Sequence, residues 1–94
     1  MVKLEPVIMT RYKQLPVVCA CGLHLALYNK GGSGRLRKMY FGRILKDYEG
    51  LFVNTPPIPL DTDINCPTCS KRIGTVKIVS GHAAVKINQG TVRA

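Results

Sequence analysis

Four cysteines stand in two close pairs, Cys19-Ala20-Cys21 and Cys66-Pro67-Thr68-Cys69, with 44 residues between the pairs. Two thiolates from each of two distant segments can complete a tetrahedron around one Zn²⁺, and a structural zinc site closes all four positions with protein atoms. A chain that meets this demand has to fold so that the two segments meet.

An even number of cysteines in a short chain also fits disulfides. The start of the chain argues against export, since Met1 to Thr10 is interrupted by Glu5 and Pro6 and offers no small-residue cleavage site. A cytoplasmic location then keeps the thiols reduced. A redox pair at Cys66 and Cys69 has suitable spacing but leaves Cys19 and Cys21 without a role. The expectation is one Zn²⁺ held by Cys19, Cys21, Cys66 and Cys69, with disulfide and redox chemistry as the alternatives. In an extended segment, residues two apart point to one side about 6.5 to 7 Å apart, so Cys19 and Cys21 converge if the chain bends near Gly22. His24 is a substitute ligand only if that strand breaks, because its parity is opposite to that of both cysteines.

Ninety-four residues make one domain, and a domain of this size buries about two thirds of its unfolded surface. Zinc in a small module contributes on the order of 10 kcal/mol to folding, comparable to the whole stability of an ordinary domain. Residues 1–16, with Arg11 and Lys13, are expected to form an N-terminal arm, and residues 17–94 a zinc-binding β domain.

Within that domain, Val17 to Tyr28 is expected to be strand, with Leu23, Leu25 and Leu27 alternating with His24, Ala26 and Tyr28. A flexible loop follows from Lys30 to Arg35. Leu36 to Leu45 is expected to be a long strand with room for a bulge at Gly42, although its apolar residues do not alternate cleanly. Asp47 to Gly50 suits a turn, Leu51 to Val53 a short strand, and Asn54 to Asp63, with Pro56, Pro57 and Pro59, an irregular connection. Gly74 to Val79 and His82 to Asn88 flank Ser80-Gly81, a two-residue hairpin turn. That register sets Val76 opposite Val85 and Ile78 opposite Ala83 on an apolar face, with Thr75 opposite Lys86 and Lys77 opposite Ala84 on a basic one. Gly90 permits a turn before the chain ends. No segment has a convincing helical period, so the fold class is all-β: a small zinc-stabilised domain of antiparallel sheets, β-tent-like or zinc-ribbon-like.

Charge points to the partner. The net charge is +9, from fourteen Lys and Arg against five Asp and Glu, and such an excess favours a polyanion. Lys30, Arg35, Arg37, Lys38, Arg43 and Lys46 crowd one stretch without an acid, and none occurs from Ile64 to Ala94. The competing reading is a solvated, solubilising surface. An anionic membrane is disfavoured, since there is neither an apolar span nor a basic amphipathic helix. The expected phosphate contacts are Lys30, Arg35, Arg37, Lys38, Arg43, Lys77 and Lys86. Parity places Tyr40 and Phe41 on opposite faces, leaving one for the core and Tyr40 as a candidate to stack on an unpaired base. Lys71 and Arg72 are candidates to offset the charge of a tetrathiolate site.

Catalysis finds little support. Gly31 to Gly34 is no P-loop, since Arg35-Leu36 follows where lysine and Ser or Thr are needed. Four ligating cysteines leave no thiol nucleophile and no open metal position. His24 and His82 have no evident carboxylate partner.

The string Asp63-Ile64-Asn65-Cys66-Pro67-Thr68-Cys69, followed by Ile73-Gly74 and a strand pair ending near Lys86-Ile87-Asn88-Gln89-Gly90, resembles the zinc half of the β-tent domains. These include yippee-like proteins, the ligand-binding domain of cereblon and the regulatory domains of RIG-I-like RNA sensors. The resemblance implies two antiparallel sheets pinned at one end by a four-cysteine zinc site. Cys19 and Cys21 are one residue closer than that family's first pair. Its members bind RNA ends, proteins or cyclic imides, and the related methionine sulfoxide reductases use an extra cysteine absent here. The functional expectation is a non-enzymatic RNA-binding protein, a ribosomal or ribonucleoprotein component. The alternatives are a protein-interaction subunit, for example of a transcription complex, and a CxxC redox protein.

Overall fold

A computed structural model describes residues 12–32 and 34–93. β1 (Tyr12–Cys19) and β2 (His24–Gly31) form a hairpin. β3 (Lys38–Tyr40) leads through a single 3-10 turn, Phe41–Arg43, into β4 (Ile44–Asp47). A long connection without strand reaches β5 (Asp63–Asn65), β6 (Arg72–Val79) and β7 (His82–Ile87) make a second hairpin, and β8 (Val92–Arg93) follows. The strands form two four-stranded antiparallel sheets, ordered β4-β2-β1-β8 and β3-β7-β6-β5. The all-β expectation therefore holds.

Both sheets feed one core. Val17, Leu25 and Tyr28 come from the first, and Met39, Ile64, Val76, Val85 and Ile87 from the second. Phe52 enters from the connection between them and is only 2% exposed. Truncating such an aromatic to alanine costs about 3–5 kcal/mol. Cys19 and Cys66 belong to the same cluster, so the cysteine site continues the core.

Several local expectations change. The boundary placed after Pro16 falls inside β1, because Tyr12 to Pro16 pair with β2 from Gly31 to Leu27. β8 pairs only with Val18 and Cys19, so Pro16 sits where β1 has an open side and its missing N–H breaks no ladder. Residues 1–11 of the expected arm, Arg11 included, lie outside the described residues. Val17 to Tyr28 is not one strand but the end of β1, a turn at the first cysteine pair, and β2. Nor does β2 alternate strictly: Leu25, Ala26 and Tyr28 are buried and Leu27 only half so. In its pairing with β1 the extra residue, Leu25, falls on β2, and such a bulge turns neighbouring side chains to the same face.

The expected strand from Leu36 to Leu45 is broken in two. β3 belongs to the second sheet and β4 to the first, and the chain crosses between them at Phe41-Gly42-Arg43. The poor alternation of that segment is the trace of this crossing. Leu51 to Val53 is not a strand. Its backbone is gathered by Asp47, whose Oδ1 accepts the Leu51 N–H at 3.0 Å while Oδ2 accepts those of Phe52 and Val53, each at 2.9 Å.

The β6–β7 register agrees pair for pair with the expected one. Ser80 and Gly81 have φ of 51° and 82°, the left-handed pair that a type I′ turn requires. Val76 and Val85 are fully buried. Ile78, at 55% exposed, and Ala83 opposite it are not, whereas Ala84, expected on the basic face, is fully buried. At the other end of the hairpin Gly74 passes close under Lys86: a Cβ there would collide with the Lys86 carbonyl and lie 2.7 Å from Val85 Cγ1.

Candidate metal centre and basic face

Cys19 is the last residue of β1, and Cys21 lies in the turn that follows, not on an extended strand. The turn closes through the Cys19 N–H to the Leu23 carbonyl and the Gly22 N–H to the Cys19 carbonyl, each at 2.8 Å. Gly22 takes φ of 102°, a conformation open to glycine at little cost. The bend turns Cys21 back toward Cys19. Thr91 accepts the Ala20 N–H at 2.8 Å, so the segment before β8 braces the turn.

Cys66 and Cys69 occupy the loop between β5 and β6. The Cys66 N–H donates to the Lys71 carbonyl at 2.9 Å and the Ser70 N–H to the Cys66 carbonyl at 2.8 Å, with Ser70 at φ of 68°. The Cys69 N–H, with that of Thr68, points at the Cys66 sulfur and holds its thiol down to about 7. Burial pushes the Cys19 thiol the other way, up to about 12.

The four sulfurs all lie within 4.8 Å of one another. Cys19 Sγ is 3.6 Å from Cys69 Sγ, and Cys21 Sγ 3.7 Å from Cys66 Sγ. These are separations between free thiols, well beyond the roughly 2.05 Å of a disulfide bond. Each close pair joins one sheet to the other, so a metal ion held here would clasp the two sheets. His24 opens β2, is exposed, and is not part of the cluster.

Of the expected anion contacts, Lys30, Arg35, Arg37, Lys38 and Tyr40 line one open hollow of about 360 Å³. The Gly-rich loop builds it by alternation: Leu36 is buried while Arg35 and Arg37 on either side are exposed. The Lys30 ammonium rests on the Gly31 and Gly32 carbonyls at 3.3 and 3.5 Å. Lys38 stands directly opposite Lys86 across β3 and β7, and Lys86 opposite Thr75 across β7 and β6. Lys77 lies farther along the same face, its ammonium 2.5 Å from Asp61 in an exposed pair. An exposed pair of that kind contributes about 1 kcal/mol or less. Arg72 lies 4.0 Å from Asp63, so its nearest charge partner is that carboxylate. Among the described residues, Lys38 and Lys86 form no ion pair.

Arg43 lies apart from the first hollow. Its guanidinium carbon is 5.4 Å from the ring centres of both Tyr12 and Tyr40, between which it is held. The His82 ring meets Tyr40 edge-on at 6.1 Å and 89°. Phe41, in the 3-10 turn, packs against the core. No local pattern in the sequence singles out Tyr12 or His82, because the pairings that bring them to Tyr40 and Arg43 are long-range. The one signal was charge and aromatic content around Lys38 to Arg43.

No helix of the described residues is long and apolar enough to cross a membrane. The chain matches no protein-family model, no curated protein and no solved structure. The resemblance to β-tent domains therefore rests on the residues quoted for it.

Proposed function

We propose that the four cysteines hold one structural Zn²⁺ and that the domain so clasped is a non-enzymatic RNA-binding protein, a cytoplasmic ribonucleoprotein component. Four thiolates are the donor set zinc favours, and Zn–S bonds of about 2.3 Å give sulfur separations of about 3.8 Å in a tetrahedron. The two close pairs stand at 3.6 and 3.7 Å. Zinc would hold β1, β2, β6 and β8 in register and leave the chemistry of the protein to its surface.

The observation that carries the RNA reading is the convergence of Lys30, Arg35, Arg37 and Lys38 on one hollow, with Lys86 opposite Lys38. Like charges facing each other across adjacent strands are unfavourable in water alone, and a phosphate between them removes the repulsion. Contacts of this kind fix the register of a backbone and read no sequence.

Binding of the zinc-loaded protein to a fluorescent RNA, followed by anisotropy between about 50 and about 200 mM salt, tests this reading. Five phosphate contacts give a log-log slope of about −3.5 on a single strand. A flat salt dependence would refute it. Purification of the tagged protein with and without nuclease separates RNA from an acidic protein partner, which would remain after digestion.

A further inference from the structure

Tyr40 lines two hollows. One is the basic hollow of Lys30, Arg35, Arg37 and Lys38. The other, of about 540 Å³, is lined by Tyr40, Gly42, Arg43, His82 and Ala83, and its volume is in the range of small-ligand pockets. The first presents cations. The second presents flat groups: a phenol, a guanidinium and an imidazole, with Gly42 and Ala83 leaving the remaining wall nearly bare.

The flat groups are held in place. The Arg43 guanidinium carbon lies 5.4 Å from the ring centres of both Tyr12 and Tyr40, contacts that limit its side-chain freedom before any ligand arrives. Tyr40 is itself anchored, its backbone N–H donating to the Tyr28 hydroxyl at 2.9 Å. His82 stands at 89° to Tyr40, so the two rings form a corner. A planar base laid on one of them meets the other at its edge.

Resting on the RNA reading above, we infer that this second hollow takes one unpaired nucleobase, stacked among Tyr40, Arg43 and His82, while the phosphates flanking it lie in the basic hollow across Tyr40. A base inside a duplex is stacked on its neighbours and cannot enter, whereas splayed bases of single strands stack on aromatic rings and guanidinium planes. The ligand class is accordingly single-stranded RNA, or a loop or bulge within a folded one.

The test compares a fluorescent oligouridylate with an RNA duplex of equal length, bound to the full-length zinc-loaded protein. The variants are Arg43→Lys, which keeps the charge and removes the plane, and His82→Ala, at an exposed position. Each should weaken single-strand binding about 5-fold or more, the effect of losing one stacking partner, and leave duplex binding unchanged within about 2-fold. The chain has two histidines, so the His82 ring protons can be followed by NMR, and they should move upfield when oligouridylate binds. Equal losses on both RNAs, or no loss on either with no His82 shift, would overturn the stacking site while leaving phosphate binding intact. Failure of the unaltered protein to bind either RNA would instead remove the RNA reading, and this inference with it.

Discussion

Lys38 on β3 and Lys86 on β7 face each other as a cross-strand pair with no ion pair to either among the described residues. Opposed like charges cost stability, whereas an opposite-charge pair in the same place contributes about 0.2–1 kcal/mol. Lys86→Glu should therefore leave the domain as stable or slightly more so by chemical denaturation. It should also weaken RNA binding and reduce the magnitude of the salt slope by about 1 or more, since it removes a phosphate contact. Stability and binding move in opposite directions if this pair serves a ligand. A variant that loses both would mark Lys86 as structural.

The cysteine site closes the core at the place where the two sheets meet, with Cys19 and Cys66 both buried. Removal of zinc with a strong chelator should abolish or greatly lower the cooperative unfolding transition, because metal binding on the order of 10 kcal/mol is comparable to the stability of the domain. Elemental analysis of the untreated protein should give one zinc per chain. A metal-free form with an unchanged melting transition would show that the clasp is dispensable.

Zinc affinity should rise with pH. Each cysteine has to lose its proton before its sulfur can ligate, so thiol protons compete with the metal. Affinity measured by chelator competition should therefore increase from about pH 6 to about pH 8. A pH-independent affinity would contradict thiolate ligation by the four cysteines.

The contrast between the two halves of the chain explains what the sequence could reveal. Ser80-Gly81 set the β6–β7 register because a two-residue turn leaves one pairing, and Val76 opposite Val85 confirmed it. The cysteines were legible because metal ligation demands a residue type at a spacing, whatever lies between. Leu36 to Leu45 was not, since a short 3-10 turn that carries the chain from one sheet to the other leaves only blurred alternation. The meeting of Tyr12 with Arg43 depends on β1 pairing with β2 and on the crossing at Gly42. No local pattern encodes either.

Asp47 organises Leu51 to Val53, the segment expected to be a short strand. One carboxylate satisfies three backbone N–H groups, those of Leu51, Phe52 and Val53, and so delivers Phe52 to the core. Asp47→Ala should cost about 1.5–3 kcal/mol, the range for hydrogen bonds to a charged group. Asp47→Asn keeps one acceptor oxygen and should cost less. Equal costs for both would mean that charge, and not the number of acceptor atoms, holds the loop.

Two glycines test two separate contributions, close packing and backbone conformation. At Gly74 the backbone is in an ordinary strand, but an added Cβ meets the Lys86 carbonyl and Val85 Cγ1. Gly74→Ala should therefore push β6 and β7 apart and cost about 1–3 kcal/mol, as overpacked cores do. At Gly22 an added Cβ meets nothing within 4 Å, yet φ is 102°. Gly22→Ala should cost about 1–3 kcal/mol in backbone strain alone. The distinguishing measurement is zinc affinity. Gly22 turns Cys21 toward Cys19, so its substitution should weaken the metal, whereas Gly74→Ala should lower the stability of the zinc-loaded domain with little change in affinity. If Gly74→Ala weakened zinc as strongly as Gly22→Ala, the second hairpin and the clasp would be one cooperative unit, not two.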